Sequence, residues 1–592
     1  MNKFVDYLNS MNNASSNTVA ALAEAQVLSP FYKEIQIERR LGTYIADRIR
    51  SDEKLTVVLT GHAGDGKTSI LVQILRELNL LPDDVPLKEE EDFDNGDIQL
   101  YAVKDMSELP EPKQIAYCKK ALEAPQNNKS AIVISNTGPI LKCLEEIKKK
   151  QCEDEGTEFT EAEKTDLQNM LLNQLDSNED NTIAVGPYKF LMINIARVDN
   201  VNFAEKILDK LLADKLWEPC KTCPKKGKCH ICFNVAQVKK YKERVSSFIN
   251  AFYRNLYEND KRMTIRQMLS QISFSLTGNR SCGEIKLSDK DPMKFKYLFS
   301  NLFFGYCGLE EIDNADQIHG VALARDLKLD SRGLQHDYEL FVSGDFNVFP
   351  SEIKSILIEQ YKKFSKRHLN IDEGNEFSSD DYEYRKAIRR AYIFFEHRIQ
   401  NPDEMKYNPL FDELFGTGFV AFIKMQDNKS GHKIILDMEK MITDALYLEM
   451  TGTSSKQVKD IPLTIKRNDD SFQNVMITKG SLKKNDLKIV ISDDTNDFED
   501  VTVKKKVMLR VCNDEEFRLS LSMIIYFGEI SSGAISTIAN PALTHGISKL
   551  KAVLEKGLQN DNESGSISII VNNTDTPVDL KLFIDDDKLY IE

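Results

Sequence analysis

The chain has 592 residues, 41% of them hydrophobic and 29% charged. At about 150 residues per domain, that length excludes a single ordinary core and implies three or four domains of soluble, globular character. Seventy-eight basic residues stand against 93 acidic ones, a formal net charge of -15, which excludes a protein that coats nucleic acid through its average field; contact with DNA or RNA would need a local basic surface or a partner.

The opening stretch, MNKFVDYLNSMNNASSN, is polar and amphipathic. It lacks the apolar stretch of a signal peptide, and no run of 18 or more apolar residues follows, so a cytoplasmic protein without a membrane span is expected. Residues 1–50 read as an N-terminal helical segment, with Ile35, Ile37, Leu41, Tyr44, Ile45 and Ile49 at helical spacing. Residues 51–200 alternate. Leu55–Thr60 is a β-branched run expected to be a buried strand, and Thr68–Leu80 returns to helical periodicity. The acidic stretch Leu80–Asn95, with Pro82 and Pro86, reads as a loop. Strands are expected at Ile98–Val103, Ala131–Ser135 and Phe190–Ile195, with helices at Pro112–Leu122 and Pro139–Lys150 between them. Strands alternating with helices predict an α/β core: a mostly parallel sheet with helices on both faces.

Residues 201–310 read as a helical lid, helical from Asn202 to about Leu276 and interrupted by a cysteine-rich segment at 218–234. Residues 311–454 form a mostly helical middle region, in which Asp372–Asp381 is a polar loop. Residues 455–592 change character to a β-rich α+β region. Its expected strands are Leu463–Lys466, Asn474–Ile477, Leu487–Ile491, Val501–Val511, Ser566–Val571, Val578–Ile584 and Leu589–Ile591, and its expected helix is Thr544–Leu558.

The strongest motif is Gly61-His62-Ala63-Gly64-Asp65-Gly66-Lys67-Thr68, followed by Ser69, which fits G-x-x-x-x-G-K-[ST]. Its glycines allow a tight turn that brings backbone N–H groups against phosphates, and the following helix points its positive end at them. Lys67 would reach the β and γ phosphates and the Thr68 hydroxyl would ligate Mg2+. LTVVLT before the motif and SILVQIL after it supply the strand and helix it requires. Asp105, after the strand DIQLYAV, suits a magnesium-shell acid, and Glu108 a base that polarises water; the alternative is that both are acids opening a helix. No adjacent Asp-Glu pair occurs there, which puts the hydrolytic base in doubt. Asn136, ending the strand of AIVISNTG, suits a residue that positions the lytic water, or simply a turn-forming Asn-Thr-Gly.

Together GHAGDGKTS, VKDMSE, VISNTG, LMINIARVD and RMTIRQMLSQISFSLTG resemble an AAA+ or STAND-like P-loop ATPase. The arrangement is most similar to ATPases of bacterial anti-phage loci, such as phosphorothioation-dependent restriction proteins of the DptF type, over residues 30–310. The resemblance implies Asp105 as the Walker B aspartate, Asn136 as a sensor asparagine, Arg266 as a lid arginine reading the γ phosphate and Arg197 as an arginine finger towards a neighbouring subunit. It implies an ATP-driven motor or switch in an oligomeric defence or DNA-restriction complex. A signalling ATPase that oligomerises with little turnover, and a clamp whose nucleotide only holds the fold, stay open beside it.

Of ten cysteines, Cys220, Cys223, Cys229 and Cys232 have the paired spacing of a structural Zn2+ site, with Gly227 easing the return and His230 a stand-in for one thiol. An iron–sulfur cluster or four unligated thiols are the alternatives. The six scattered cysteines read as buried thiols, since the chain is neither short nor cysteine-dense. Lys221, Lys225, Lys226, Lys228, Lys239, Lys240, Lys242 and Arg244 make this region the best local candidate for a DNA contact, or else a solvated face. Asp345 with Glu352-x-Lys354, and Glu284-x-Lys286, resemble acidic nuclease motifs only superficially, and the basic aromatic stretch RKAIRRAYIFFEHR (385–398) reads as a structural helix.

Overall fold

The structure, a computed structural model, describes every residue except 13–28, 52, 83–84, 178–180, 286–292, 369–378, 454–459, 466–474, 494–503, 513–514, 534–540, 559–565, 572–577, 586–587 and 592. Residues 372–378 of the expected loop, and the ends of three expected strands at Lys466, Asn474 and 501–503, lie outside these residues, while the last residues of that loop, Ser379–Asp381, instead open the helix Ser379–Phe395. Two compact units emerge: residues 1–254 with 262–402, and residues 255–261 with most of 403–592. Among the described residues no helix is long and apolar enough to cross a membrane.

The first unit is built on a six-stranded sheet of order β2-β3-β4-β1-β6-β5. The strands are β1 (Thr56–Thr60), β2 (Glu90–Asp94), β3 (Gln99–Val103), β4 (Ser130–Ile134), β5 (Thr182–Val185) and β6 (Tyr188–Asn194). Neighbours among β3, β4, β1 and β6 are parallel, and the edge strands β2 and β5 are antiparallel to β3 and β6. β1 is buried at all five positions, as a central strand covered on both faces must be. Its side chains divide with period two: Val57 and Leu59 enter one core, Val58 the other.

The first core is closed by α2 (Arg40–Arg50) and α3 (Lys67–Glu77). The second is closed by α4 (Glu111–Glu123), α5 (Thr137–Asp154) and α6 (Glu161–Ser177). α1 (Lys3–Ser10) precedes them, packing Phe4 edge-on against Trp217. The helix after β1 therefore covers one face and the helix after β4 the other. Adjacent parallel strands whose following helices leave to opposite faces open a crevice at their carboxyl ends.

Two expectations are corrected. The segment read as one helix from Ile35 to Ile49 is a turn at Tyr32–Ile35 and a new helix from Arg40, because Gln36 and Arg39 are extended. The segment read as an acidic loop contains β2, whose EEDFD buries only Phe93; an edge strand needs little apolar sequence.

The chain continues through α7 (Ala204–Leu211), α8 (Asp214–Lys221), α9 (His230–Lys240), α10 (Lys242–Glu258), α11 (Ile265–Thr277) and α12 (Ser379–Phe395). α11 has defined ends. Thr264 and Gln267 form a reciprocal capping box, and Gly278 closes the helix in the left-handed region at φ 62°. A cap of this kind contributes about 1 kcal/mol. The second unit holds a five-stranded and a three-stranded antiparallel sheet, with helices His432–Thr451, Leu521–Ser531 and Pro541–Gly557. The strand Glu515–Arg518 and the helix Leu521–Ser531 were not expected from sequence.

Candidate functional site

β1 ends at Thr60, and the chain turns through Gly61, Gly64 and Gly66 at φ 147°, 90° and 90° before α3 begins at Lys67. These angles disfavour any residue with a Cβ. The space does too: a Cβ on Gly61 would lie 3.2 Å from the Ala196 nitrogen, and one on Gly64 3.0 Å from Thr264 Oγ1. His62 and Ala63 are exposed, Thr68 and Ser69 half-buried in the first helical turn. The N–H groups of that turn lack intrahelical acceptors, so this end of α3 favours an anion.

Lys67 is buried, and its ammonium donates to Gly61 O at 2.7 Å, His62 O at 3.0 Å and Asn136 Oδ1 at 3.1 Å. Burial lowers its pKa, while the charges of Asp105 and Asp65 act to raise it. Asn136 is the N-cap residue of α5, so Lys67 joins the ends of β1 and β4 across the crevice.

Asp105 follows β3 and caps the short turn Met106–Glu108, its Oδ1 accepting from Ser107 N at 3.0 Å. It thus opens a helical turn and also lies within electrostatic reach of Lys67. Glu108 is exposed, and its charge acts on Lys104. Ser107 was missed in the sequence. Its Oγ accepts from Asn136 N at 2.6 Å, tying the end of β3 to that of β4.

Asp65 is fully buried. Its oxygens accept from His62 N at 3.0 Å, Arg262 Nη1 at 2.7 Å and Asn200 Nδ2 at 3.3 Å. Arg262 and Asn200 also escaped sequence reasoning. Arg266, in the first turn of α11, is half-buried, and its N–H faces Gly64 O at 3.5 Å. Desolvation lowers the pKa of its guanidinium. Arg197 is exposed and pairs with Asp176 at 2.8 Å.

Of the four motif cysteines, Cys220, Cys229 and Cys232 are linked thiol to thiol. The Cys232 thiol interacts with both others, which lowers the pKa values of Cys220 and Cys229 and raises its own. Cys229 also caps α9, accepting from Cys232 N at 3.4 Å. Cys223 joins through its backbone, N to Cys220 O at 3.4 Å. Cys282, from outside the motif, donates to Asn2 O at 4.0 Å, and Asn2 Nδ2 donates to Cys220 Sγ at 3.5 Å. The donor chemistry suits a thiolate-binding ion; yet among the described residues no group of three or more His, Cys, Asp and Glu side chains is arranged to hold a metal. His230 has a buried ring whose Nε2 contacts Thr277 O at 2.9 Å, and burial lowers its pKa to about 4. Of the scattered cysteines, Cys118, Cys143 and Cys152 are buried as expected, while Cys282, Cys307 and Cys512 are only partly so.

Part of the basic region is neutralised. Lys221 pairs with Glu218, Lys239 with Asp214, Lys240 with Glu352 and Lys242 with Asp209, while Arg244 is buried. Glu352 is thereby committed to Lys240, Lys354 donates to Asn347 Oδ1 and Asp345 accepts from Asn347 N, so this triplet makes no acidic cluster. Glu284 accepts from Ser281, and Lys286 lies outside the described residues. The arginines of α12 are committed to carboxylates: Arg385 to Asp381, Arg389 to Asp337 and Arg390 to Asp330.

No family model matches this chain, and neither does any curated protein or solved structure.

Proposed function

We propose that residues 61–69 form the P-loop of a nucleotide-binding core, and that the chain binds ATP with Mg2+ there and hydrolyses it. The observation that carries this reading is the buried Lys67 ammonium beside a glycine turn and a helix start, at the carboxyl ends of two parallel strands. Lys67 would trade its carbonyl partners for the β and γ phosphate oxygens. Thr68 and Asp105 would hold the metal ion, which neutralises the developing charge. Asn136 would orient water at the γ phosphate, and Arg266, without an ion pair among the described residues, would supply a cation.

Calorimetry with millimolar ATP and Mg2+ tests the binding step: uptake of one equivalent is expected, and no heat from folded protein would sink the proposal. Asp105→Ala is expected to retain nucleotide and to lose turnover by about a hundredfold or more; turnover equal to wild type would remove Asp105 from the metal site. The biological role follows only from the resemblance: a motor or switch subunit of a bacterial defence or DNA-restriction assembly, acting as a homo-oligomer with partner subunits. The exposure of Glu108 favours a second reading, a switch that binds ATP and oligomerises with slow turnover. Turnover stimulated by DNA would favour the motor; ATP-dependent assembly without steady turnover would favour the switch.

Structural zinc belongs to the same proposal. Cys220, Cys223, Cys229 and Cys232 would together supply a four-thiolate set that ties α8 to α9. Purified protein is expected to carry about one Zn2+ per chain and Cys229→Ser much less; under half an equivalent in wild type, without iron, would remove the site.

A further inference from the structure

The glycine loop carries an acid where an anion site gains nothing from one. A carboxylate beside a triphosphate is repulsive unless its charge is turned away and neutralised. The charge of Asp65 is neutralised by Arg262. Its side chain is 0% exposed, one oxygen braces the loop through His62 N, and the other meets Arg262 at 2.7 Å and Asn200 at 3.3 Å. Arg262 in turn donates to Ile195 O at 3.4 Å and Val198 O at 3.3 Å, in the segment that follows β6.

Two residues after Arg262 the capping box begins α11. From there the loop and the helix start run side by side. Thr264 Oγ1 lies 3.0 Å and Arg266 Cβ 3.5 Å from where a Gly64 Cβ would be, and Ile265 Cδ1 lies 3.9 Å from the same point on Gly66. Arg266 N reaches Gly64 O at 3.5 Å. Among the described residues the Arg266 guanidinium has no hydrogen bond or ion pair, although it is largely withdrawn from water. Because α11 is capped at both ends, fixing its first turn fixes where that guanidinium can reach.

We propose that Asp65 and Arg262 are a positioning pair that registers the first turn of α11 against the glycine loop, so that Arg266 distinguishes a nucleoside triphosphate from a diphosphate only while the pair is intact. This rests on the nucleotide reading above. Neither member needs to touch the nucleotide. Asp65 and Arg262 act through Arg266, which makes the prediction a non-additive one.

The test is the ratio of ADP to ATP dissociation constants, measured by calorimetry with Mg2+ on the full chain. Wild type is expected to prefer ATP by about tenfold or more. Arg266→Ala should abolish that preference with ADP binding retained, Arg262→Gln should do the same, and the double variant should lose nothing further. Asp65→Asn, which keeps the acceptor and removes the charge, should lose at least half of the preference on a logarithmic scale. A pair that merely stiffens the loop would weaken ADP and ATP by the same factor, and that result overturns the proposal. Retention of the preference in Arg262→Gln, or its absence in wild type, overturns it too. If Arg262→Gln fails to fold, Arg262→Lys keeps the charge but not the reach to two carbonyls and Asp65 together, and is expected to narrow the preference with ADP affinity unchanged. Absence of any ATP heat in wild type defeats the nucleotide reading itself; ADP and ATP falling together defeats only the pair.

Discussion

Lys67→Ala is expected to lower ATP affinity by about a hundredfold or more and to abolish turnover. The ammonium is the buried cation of the crevice, held by three oxygens within 3.1 Å. Removing it leaves Gly61 O and Asn136 Oδ1 without this donor, and an arriving phosphate would keep the N–H groups of the loop but lose its buried cation. A hydrogen bond to a charged group is worth about 1.5–3 kcal/mol, and two phosphates would share this donor. At about 1.4 kcal/mol per factor of ten, the loss of even one strong contact approaches a hundredfold. Calorimetry decides it, with circular dichroism to establish folding. Unchanged affinity would show that nucleotide, if bound, sits elsewhere.

The largest stability effect is expected at Arg390→Ala, with a destabilisation of about 3–5 kcal/mol. Arg390 is fully buried in α12. Its guanidinium meets Asp330 at 2.6 Å, Asn301 Oδ1 at 3.0 Å and Gly308 O at 3.3 Å, and lies 4.0 Å from the centre of the Tyr306 ring. Truncation would leave the Asp330 carboxylate buried without its counter-charge and Asn301 without its donor. Breaking one side of such a pair costs more than replacing both sides by apolar groups. Arg390→Met with Asp330→Leu is therefore expected to recover much of the loss. Urea titration followed by tryptophan fluorescence and circular dichroism would compare the two. A single variant as stable as wild type would mean that water already reaches Asp330.

Legibility in the sequence followed the range of the interactions involved. β1, the glycine turn and α3 were readable because burial on both faces forces a continuous apolar strand and a tight turn forces glycine. β2 and β5 were not, since an edge strand is exposed along one side and its composition is free. Leu521–Ser531 is apolar almost throughout, so its period carries no helical signal. The partners of Asp65 were out of reach for another reason. Arg262 lies 197 residues away, and nothing local to either residue encodes the other. Among the lysines around the cysteines the pairing of Lys240 with Glu352, 112 residues away, was out of reach for the same reason.

The acidic edge strand also limits assembly. β2 presents Glu90, Glu91, Asp92 and Asp94 beside its outer backbone, and Lys120 and Lys129 reach to it from the sheet's own side. A further strand laid along that border would have to desolvate these carboxylates before gaining its ladder of hydrogen bonds. Pairing a second copy along this border would therefore be disfavoured, which protects this end of the sheet from growing strand by strand.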